Sequence, residues 1–224
     1  MKIYEELQQQ YNKYHNIQNL MKHFNVQELS NKCKSLKNKA PGIDRVTKYE
    51  YMENLEDNIY KLYSSIRNNT FMPTKTRRCY IPKSNGKFRP LGIPAFEDRI
   101  VQGVMSDILV SIYELIFLDC SYGYRLNRNC HTALSALKQI TKNGKTNYIV
   151  KADIKGFFDN VCHSKLIDEL KLVIQDKHFI SLVYKYLKAD IFYKGKTLHN
   201  KRGTPQGRTY FSCVRQCIST FSYR

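Results

Sequence analysis

Apolar residues recur at helical spacing along the first 36 positions, with Leu7, Tyr11 and Tyr14 on one stripe and Val26, Leu29 and Cys33 on another, set among Gln, Asn and Lys. The pattern predicts a helical N-terminal extension over residues 1–36, and stripes of this kind mark packing faces first. Pro41-Gly42 then signals a loop within Asn38 to Arg45. Thr47 and Glu50 have the spacing of a capping box, in which each side chain satisfies the other's backbone donor. A helix should therefore run from there to about Arg67, presenting Tyr51, Leu55, Ile59, Leu62 and Ile66, and stop at Asn68-Asn69. Residues 76–93 read as a β-hairpin: Cys79, Tyr80 and Ile81 lead to a turn at Asn85-Gly86, and Phe88 to Ile93 returns. From Phe96 to Phe117 the apolar positions again follow a helix, through Ile100, Val104, Ile108, Leu109, Ile112 and Ile116, as expected of a core element. A loop rich in turn formers covers Ser121 to His131, and a second core helix is expected from Thr132 to Thr141.

The period changes at Tyr148. Tyr148, Val150 and Ala152 alternate with Ile149, Lys151 and Asp153, which predicts a strand ending on a carboxylate. The chain then turns at Gly156 and places Phe157 and Phe158 close behind that acid. Two helices follow, His163 to Val173 and Asp176 to Lys188, and then a short hairpin about Gly195, from Asp190 to Tyr193 and Thr197 to Lys201. A His opening a helix is read as a cap or packing residue rather than a base.

Composition adds one decisive fact. With 42% hydrophobic and 25% charged residues, the 224-residue chain can bury a real core and lacks the bias of a disordered segment. Its formal charge of +18, from 37 Lys and Arg against 19 Asp and Glu, attracts polyanions, and nucleic acid is the natural partner. There is no apolar run long enough to span a bilayer and no signal-peptide core, so a cytoplasmic location without membrane contact is expected. Seven scattered cysteines, an odd number without a Cys-x-x-Cys pair, argue for reduced thiols and against a zinc site.

Candidate chemistry centres on Asp153 and the 76–93 hairpin. An acid on a strand end can hold Mg²⁺ with few protein ligands, because that ion keeps several waters and takes the rest of its shell from substrate phosphates. By itself such an Asp is more often a turn former or helix cap. Lys75, Arg77, Arg78, Lys83, Lys87 and Arg89 crowd the hairpin, where they would form either a phosphate clamp or a solvated strand face. Arg99, Arg125 and Arg128 are further candidate contacts to nucleic acid.

Four stretches in order decide between these readings. They are Lys-Asn-Lys-Ala-Pro-Gly-Ile-Asp-Arg-Val-Thr from Lys37, the Tyr-Ile-Pro-Lys and Gly-Lys-Phe-Arg-Pro-Leu-Gly-Ile-Pro runs between Arg77 and Gln102, Ser-Tyr-Gly-Tyr-Arg-Leu-Asn-Arg from Ser121, and Gly-Thr-Pro-Gln-Gly at Gly203 to Gly207. Together with the Asp153 segment they resemble the reverse transcriptases encoded by bacterial group II introns, which also act as intron maturases. The resemblance implies an α+β fold: right-hand polymerase fingers and a partial palm over residues 37–224, with the helical extension of 1–36 helping to hold template RNA. It implies that Asp153 is the first metal ligand, with the Ile154 carbonyl beside it. Phe158 would lie under the sugar and exclude a 2′-hydroxyl, Gln206 would contact the nucleotide from the fingers side, and Lys83 and Arg89 would grip the triphosphate. Arg77, Arg78, Arg99, Arg125 and Arg128 would contact nucleic acid. The implied cofactor is Mg²⁺, and the implied partners are RNA template (the intron RNA), DNA primer and deoxynucleoside triphosphates. Asp159, close to Asp153 but turned elsewhere, is read as structural.

The resemblance stops at Gly207. In the family an apolar helix and then Tyr-x-Asp-Asp follow, and the latter supplies the remaining metal ligands; here Arg208 to Arg224 contains no acid and no such motif occurs. A frameshift near Gly207 is the expected cause, and one carboxylate cannot organise two Mg²⁺ ions, so a truncated, inactive copy is expected. The alternative is a non-catalytic RNA-binding protein that assists intron folding. A retron or diversity-generating reverse transcriptase fits the long basic fingers less well.

Overall fold

The computed structural model describes residues 2–204, apart from 83–85, 124, 126, 143 and 145. The N-terminal extension forms α1 (Lys2–Tyr14), a 3₁₀ turn (Leu20–His23) and α2 (Val26–Ser35), the last capped by the Asn25 side chain, which accepts from the Glu28 N–H at 2.9 Å. The predicted capping box forms: Thr47 and Glu50 exchange hydrogen bonds at the start of α3 (Lys48–Glu53). The single helix expected up to Arg67 is broken at Asn54, whose backbone leaves the helical region (φ −121°, ψ 47°), so that α4 (Leu55–Arg67) is a separate element. It ends at Asn68-Asn69 as the sequence suggests, with Asn69 at φ 58°.

The centre of the molecule is α5 (Phe96–Tyr113), twelve of whose 18 residues are buried. It is apolar around most of its circumference because α1 and α2 pack on one side of it while residues of α4 and α9 (Lys177–Lys188) complete the same core cluster. Its one buried acid, Asp98, accepts from the Thr74 N–H at 3.0 Å and the Tyr186 hydroxyl at 3.1 Å, tying the chain before the sheet to α9. The core runs without interruption across residue 36, through Leu7, Ile17, Leu20, Leu29, Ile59, Ile100 and Val183.

Strands β1 (Thr76–Pro82) and β2 (Phe88–Ile93) form the expected antiparallel hairpin, with Cys79 opposite Leu91 and Ile81 opposite Arg89. Pro90 is tolerated because β2 is an edge strand, where a missing N–H breaks no ladder. The second hairpin, β3 (Ile191–Tyr193) and β4 (Lys196–Leu198), joins it through a parallel pairing of β1 with β3, giving the order β2-β1-β3-β4. Between the hairpins lie α6 (Cys130–Lys142), α7 (Phe157–Asn160) and α8 (His163–Lys171).

Two expectations fail here. Residues 148–153 take no strand conformation, and Tyr148 and Val150 are 88% and 90% exposed. A β-patterned stretch becomes a strand only when a neighbour satisfies its N–H and C=O groups, and none does so among the described residues. The second core helix, α6, has no buried residue: Leu134, Leu137 and Ile140 form its apolar stripe and all three are exposed. Periodicity revealed the stripe but not whether anything covers it. Among the described residues no helix is long and apolar enough to cross a membrane, and the five described cysteines are free.

Candidate nucleotide and nucleic-acid site

Gly156 reverses the chain after Asp153. Its φ of 64° is open to glycine, and its carbonyl accepts from the Asp159 N–H at 3.1 Å and the Asn160 side chain at 2.9 Å, which closes α7 as one tight turn. Phe157 packs toward the core, whereas Asp153 and Ile154 are exposed. Phe158 lies in α7 with its side chain outside the described set.

The start of the Gly-Thr-Pro-Gln-Gly motif is anchored onto the chain just after α7. The Gly203 N–H donates to the Val161 carbonyl at 2.9 Å, and the Gly203 carbonyl accepts from His163 Nε2 at 2.7 Å and from the Asn200 side chain at 3.3 Å. His163 is buried, and that burial is the largest influence lowering its basicity; the Gly203 carbonyl opposes it and Lys188 adds to it. A neutral ring with its proton on Nε2 fits, since Nδ1 has no hydrogen-bond partner among the described residues. His163 is therefore a strut for the motif, in agreement with the structural reading.

This anchoring produces a cleft of about 110 Å³ in which the two hairpins and α7 converge. Arg78, Pro90 and Gly92 form its fingers wall; Asp159, Arg202, Gly203 and Thr204 face them. Thr204 is buried, and its hydroxyl has no partner among the described residues. Asp159, expected to be structural, lines the cleft; Asp153 does not. A larger adjoining hollow of about 440 Å³ brings Ile154 together with Lys155, Lys165 and Arg202.

The remaining predicted residues separate into groups. Arg89 is exposed on the hairpin, and Lys83 and Gln206 lie outside the described residues. Four arginines expected to face nucleic acid also hold loops. Arg77 donates to the Pro41 carbonyl at 2.6 Å and Arg99 to that of Lys37 at 2.7 Å, which pins the Pro41-Gly42 loop so close that a Cβ on Gly42 would lie 2.6 Å from Ala95 Cα. Arg125 is buried against Glu114 at 2.9 Å and donates to the Leu118 and Ser121 carbonyls. Arg128 pairs with Asp119 at 3.1 Å and donates to the Ser121 carbonyl at 3.3 Å. The signal for this was available: loops rich in turn formers leave carbonyls without ladder partners, and arginine is the densest donor for them.

The sequence implies Mg²⁺, but among the described residues no group of three or more His, Cys, Asp or Glu stands close enough together to hold a metal ion. The residues described therefore do not fit such a centre.

The basic β1–β2 hairpin forms one edge of the mixed sheet and faces the Gly203–Thr204 turn across a polar cleft, an α+β arrangement consistent with polymerase fingers and part of a palm. The chain belongs to the reverse transcriptase family: residues 81–212, more than half of it, match the family described as Reverse transcriptase (RNA-dependent DNA polymerase). The group II intron-encoded protein LtrA of Lactococcus lactis subsp. cremoris is 43% identical over 153 residues, which is 68% of this chain and 25% of that protein. Protein YkfC of Escherichia coli (strain K12) is 38% identical over 171 residues, 75% of this chain and 45% of its own length. The chain thus spans less than half of either relative. Among solved structures, a chain of a partial Cas6-RT-Cas1–Cas2 complex superposes with a TM-score of 0.57 at 18% identity, over 91% of this chain and 34% of that one.

Proposed function

We propose that the chain is the fingers and partial palm of an RNA-directed DNA polymerase of group II intron type, which binds intron RNA through its basic face. In this reading a DNA primer and deoxynucleoside triphosphates are the substrates of the complete enzyme. The observation that supports it is the convergence of Arg78, Pro90 and Gly92 of the basic hairpin with the Gly203–Thr204 turn at one cleft. Lys83 and Arg89 would grip the triphosphate, Phe158 would sit under the sugar and Gln206 would contact the nucleotide. Arg78 serves as the phosphate contact within the cleft. Reverse transcriptases as a family use a divalent metal, and Asp153 with the Ile154 carbonyl would be one part of that centre; among the described residues no further acids stand beside them to complete it.

A polypeptide of these 224 residues is accordingly expected to bind RNA without polymerising. Primer extension on an RNA template, with Mg²⁺ and deoxynucleoside triphosphates, should give no incorporation, while RNA binding should weaken as salt rises. Mg²⁺-dependent incorporation would overturn the claim of inactivity. The second reading, an RNA-binding protein that assists intron folding, is favoured by the +18 charge beside so sparse a set of acids. It predicts faster folding of a group II intron RNA on addition of the chain.

A further inference from the structure

Two neighbouring stretches leave their apolar faces open. Leu134, Leu137 and Ile140 line one side of α6, and Tyr148, Val150 and Ile154 fall on one face of the β-patterned stretch that follows, with Ala152 between the last two. These six side chains are between 46% and 90% exposed. Weighted by exposure they offer on the order of 800 Å² per copy, about what one partner contributes to a standard stable interface. Residues 148–154 also make no backbone hydrogen bond among the described residues, so their N–H and C=O groups are open to an added strand. Charge then selects the occupant. Residues 120–152 contain no acid, and residues 205–224, whose three charged side chains are all arginines, would bring more of the same sign. A second copy brings an acid in register. Paired antiparallel about Ala152, Lys151 of each copy stands opposite Asp153 of the other, and Val150 opposite Ile154. The same pairing keeps the apolar residues on one face of the ribbon and Lys151, Asp153 and Lys155 on the other. A two-stranded ribbon alone is marginal, but the stripes of two α6 helices supply the apolar layer it needs.

We propose that this face is an interface between two copies of the chain, in which the 148–154 segments form an antiparallel ribbon over the two α6 helices. The proposal goes beyond the polymerase reading and does not depend on it; in the dimer Asp153 is engaged by Lys151 of the other copy and so is withheld from a metal. The test is sedimentation equilibrium of the nuclease-treated full chain across about two decades of concentration, at about 0.15 M and about 0.5 M salt. The wild type should pass from monomer to dimer as concentration rises. Its dimer should tighten with salt, because each copy carries a formal charge of +18 and screening weakens their repulsion. Val150→Lys puts a charge into the apolar layer and should stay monomeric throughout. Lys151→Asp and Asp153→Lys each set like charges opposite one another and should weaken the dimer on the order of tenfold. The combined swap, Lys151→Asp/Asp153→Lys, restores both pairs and should recover wild-type association. All three positions are exposed, and circular dichroism of each variant checks that the fold is kept. A wild type that stays monomeric overturns the proposal, as does a dimer that Val150→Lys leaves intact or that the swap fails to restore. A dimer that weakens with salt is bridged by nucleic acid and overturns it too. The RNA-binding reading stands or falls separately, on the primer-extension and salt measurements above.

Discussion

At Arg125 the donors are committed: Glu114 takes the guanidinium edge, the Leu118 and Ser121 carbonyls take one nitrogen, and the ring of Phe117 lies beneath at 5.3 Å. The side chain is 4% exposed, so its charge is stabilised by the protein and cannot also meet a phosphate. Arg89, on the edge strand, is exposed to solvent. The same residue type thus has two roles, set by burial. Arg125→Ala should cost about 3–5 kcal/mol, because it strands Glu114 and two loop carbonyls with their partner gone. Arg89→Ala should change stability by less than about 0.5 kcal/mol while weakening RNA binding. Urea unfolding and anisotropy on both variants test the pair. A stable Arg125→Ala variant with weakened RNA affinity would return Arg125 to the nucleic-acid face.

Among the elements, those with local signals were legible in the sequence and those defined by a distant partner were not. The Thr47–Glu50 box, the Asn68-Asn69 stop and the two hairpins form as expected, because caps and turns are contacts between near neighbours. The 148–153 stretch and α6 have the right periods, but nothing among the described residues covers them, and no local pattern reports that. The candidate site divides in the same way. The hairpin cations and the Gly203 motif were readable, whereas the entry of Asp159 into the cleft and the loop-holding arginines depend on tertiary placement. His163 links these elements and carries a pH signature. Burial depresses its basicity and that of His23, so the folded chain takes up protons on these rings less readily than the unfolded chain, whose imidazoles titrate near the usual value of about 6.5. Above that pH neither state is charged and the stability is fully present. Below it the unfolded state binds protons first, so stability falls with falling pH by up to roughly 1.4 kcal/mol per unit for each ring. His163→Gln keeps a donor for the Gly203 carbonyl but does not titrate. Its unfolding free energy should fall less than the wild type's as the pH drops below about 6.5. Identical declines would mean that His163 does not titrate in that window.

For the whole molecule, the N-terminal extension is part of the fold rather than an appendage to it. The Ile17 N–H donates to the Val173 carbonyl and the Ile17 carbonyl accepts from the Gln175 N–H, a parallel bridge that joins the extension to the α8–α9 junction. Asp176 caps α9 and the 3₁₀ turn with one carboxylate, so both elements begin at the same point. Leu7, Ile17, Leu20, Phe24, Leu29 and Cys33 are at most 2% exposed, and their faces are met by α5 and α9. At about 1.5–3 kcal/mol for each large apolar side chain, their burial contributes on the order of 10 kcal/mol. That is comparable to the whole net stability of a domain, about 5–15 kcal/mol. Removing residues 1–36 should therefore abolish cooperative folding, because it uncovers one side of α5 and removes the Ile17 bridge and the Leu20 N–H that tie the extension to the start of α9. Thermal denaturation followed by circular dichroism should show a sigmoidal transition for the full chain and none for the shortened one. A shortened chain that melts cooperatively and still binds RNA would place the folding unit after residue 36 and make the extension a dispensable arm.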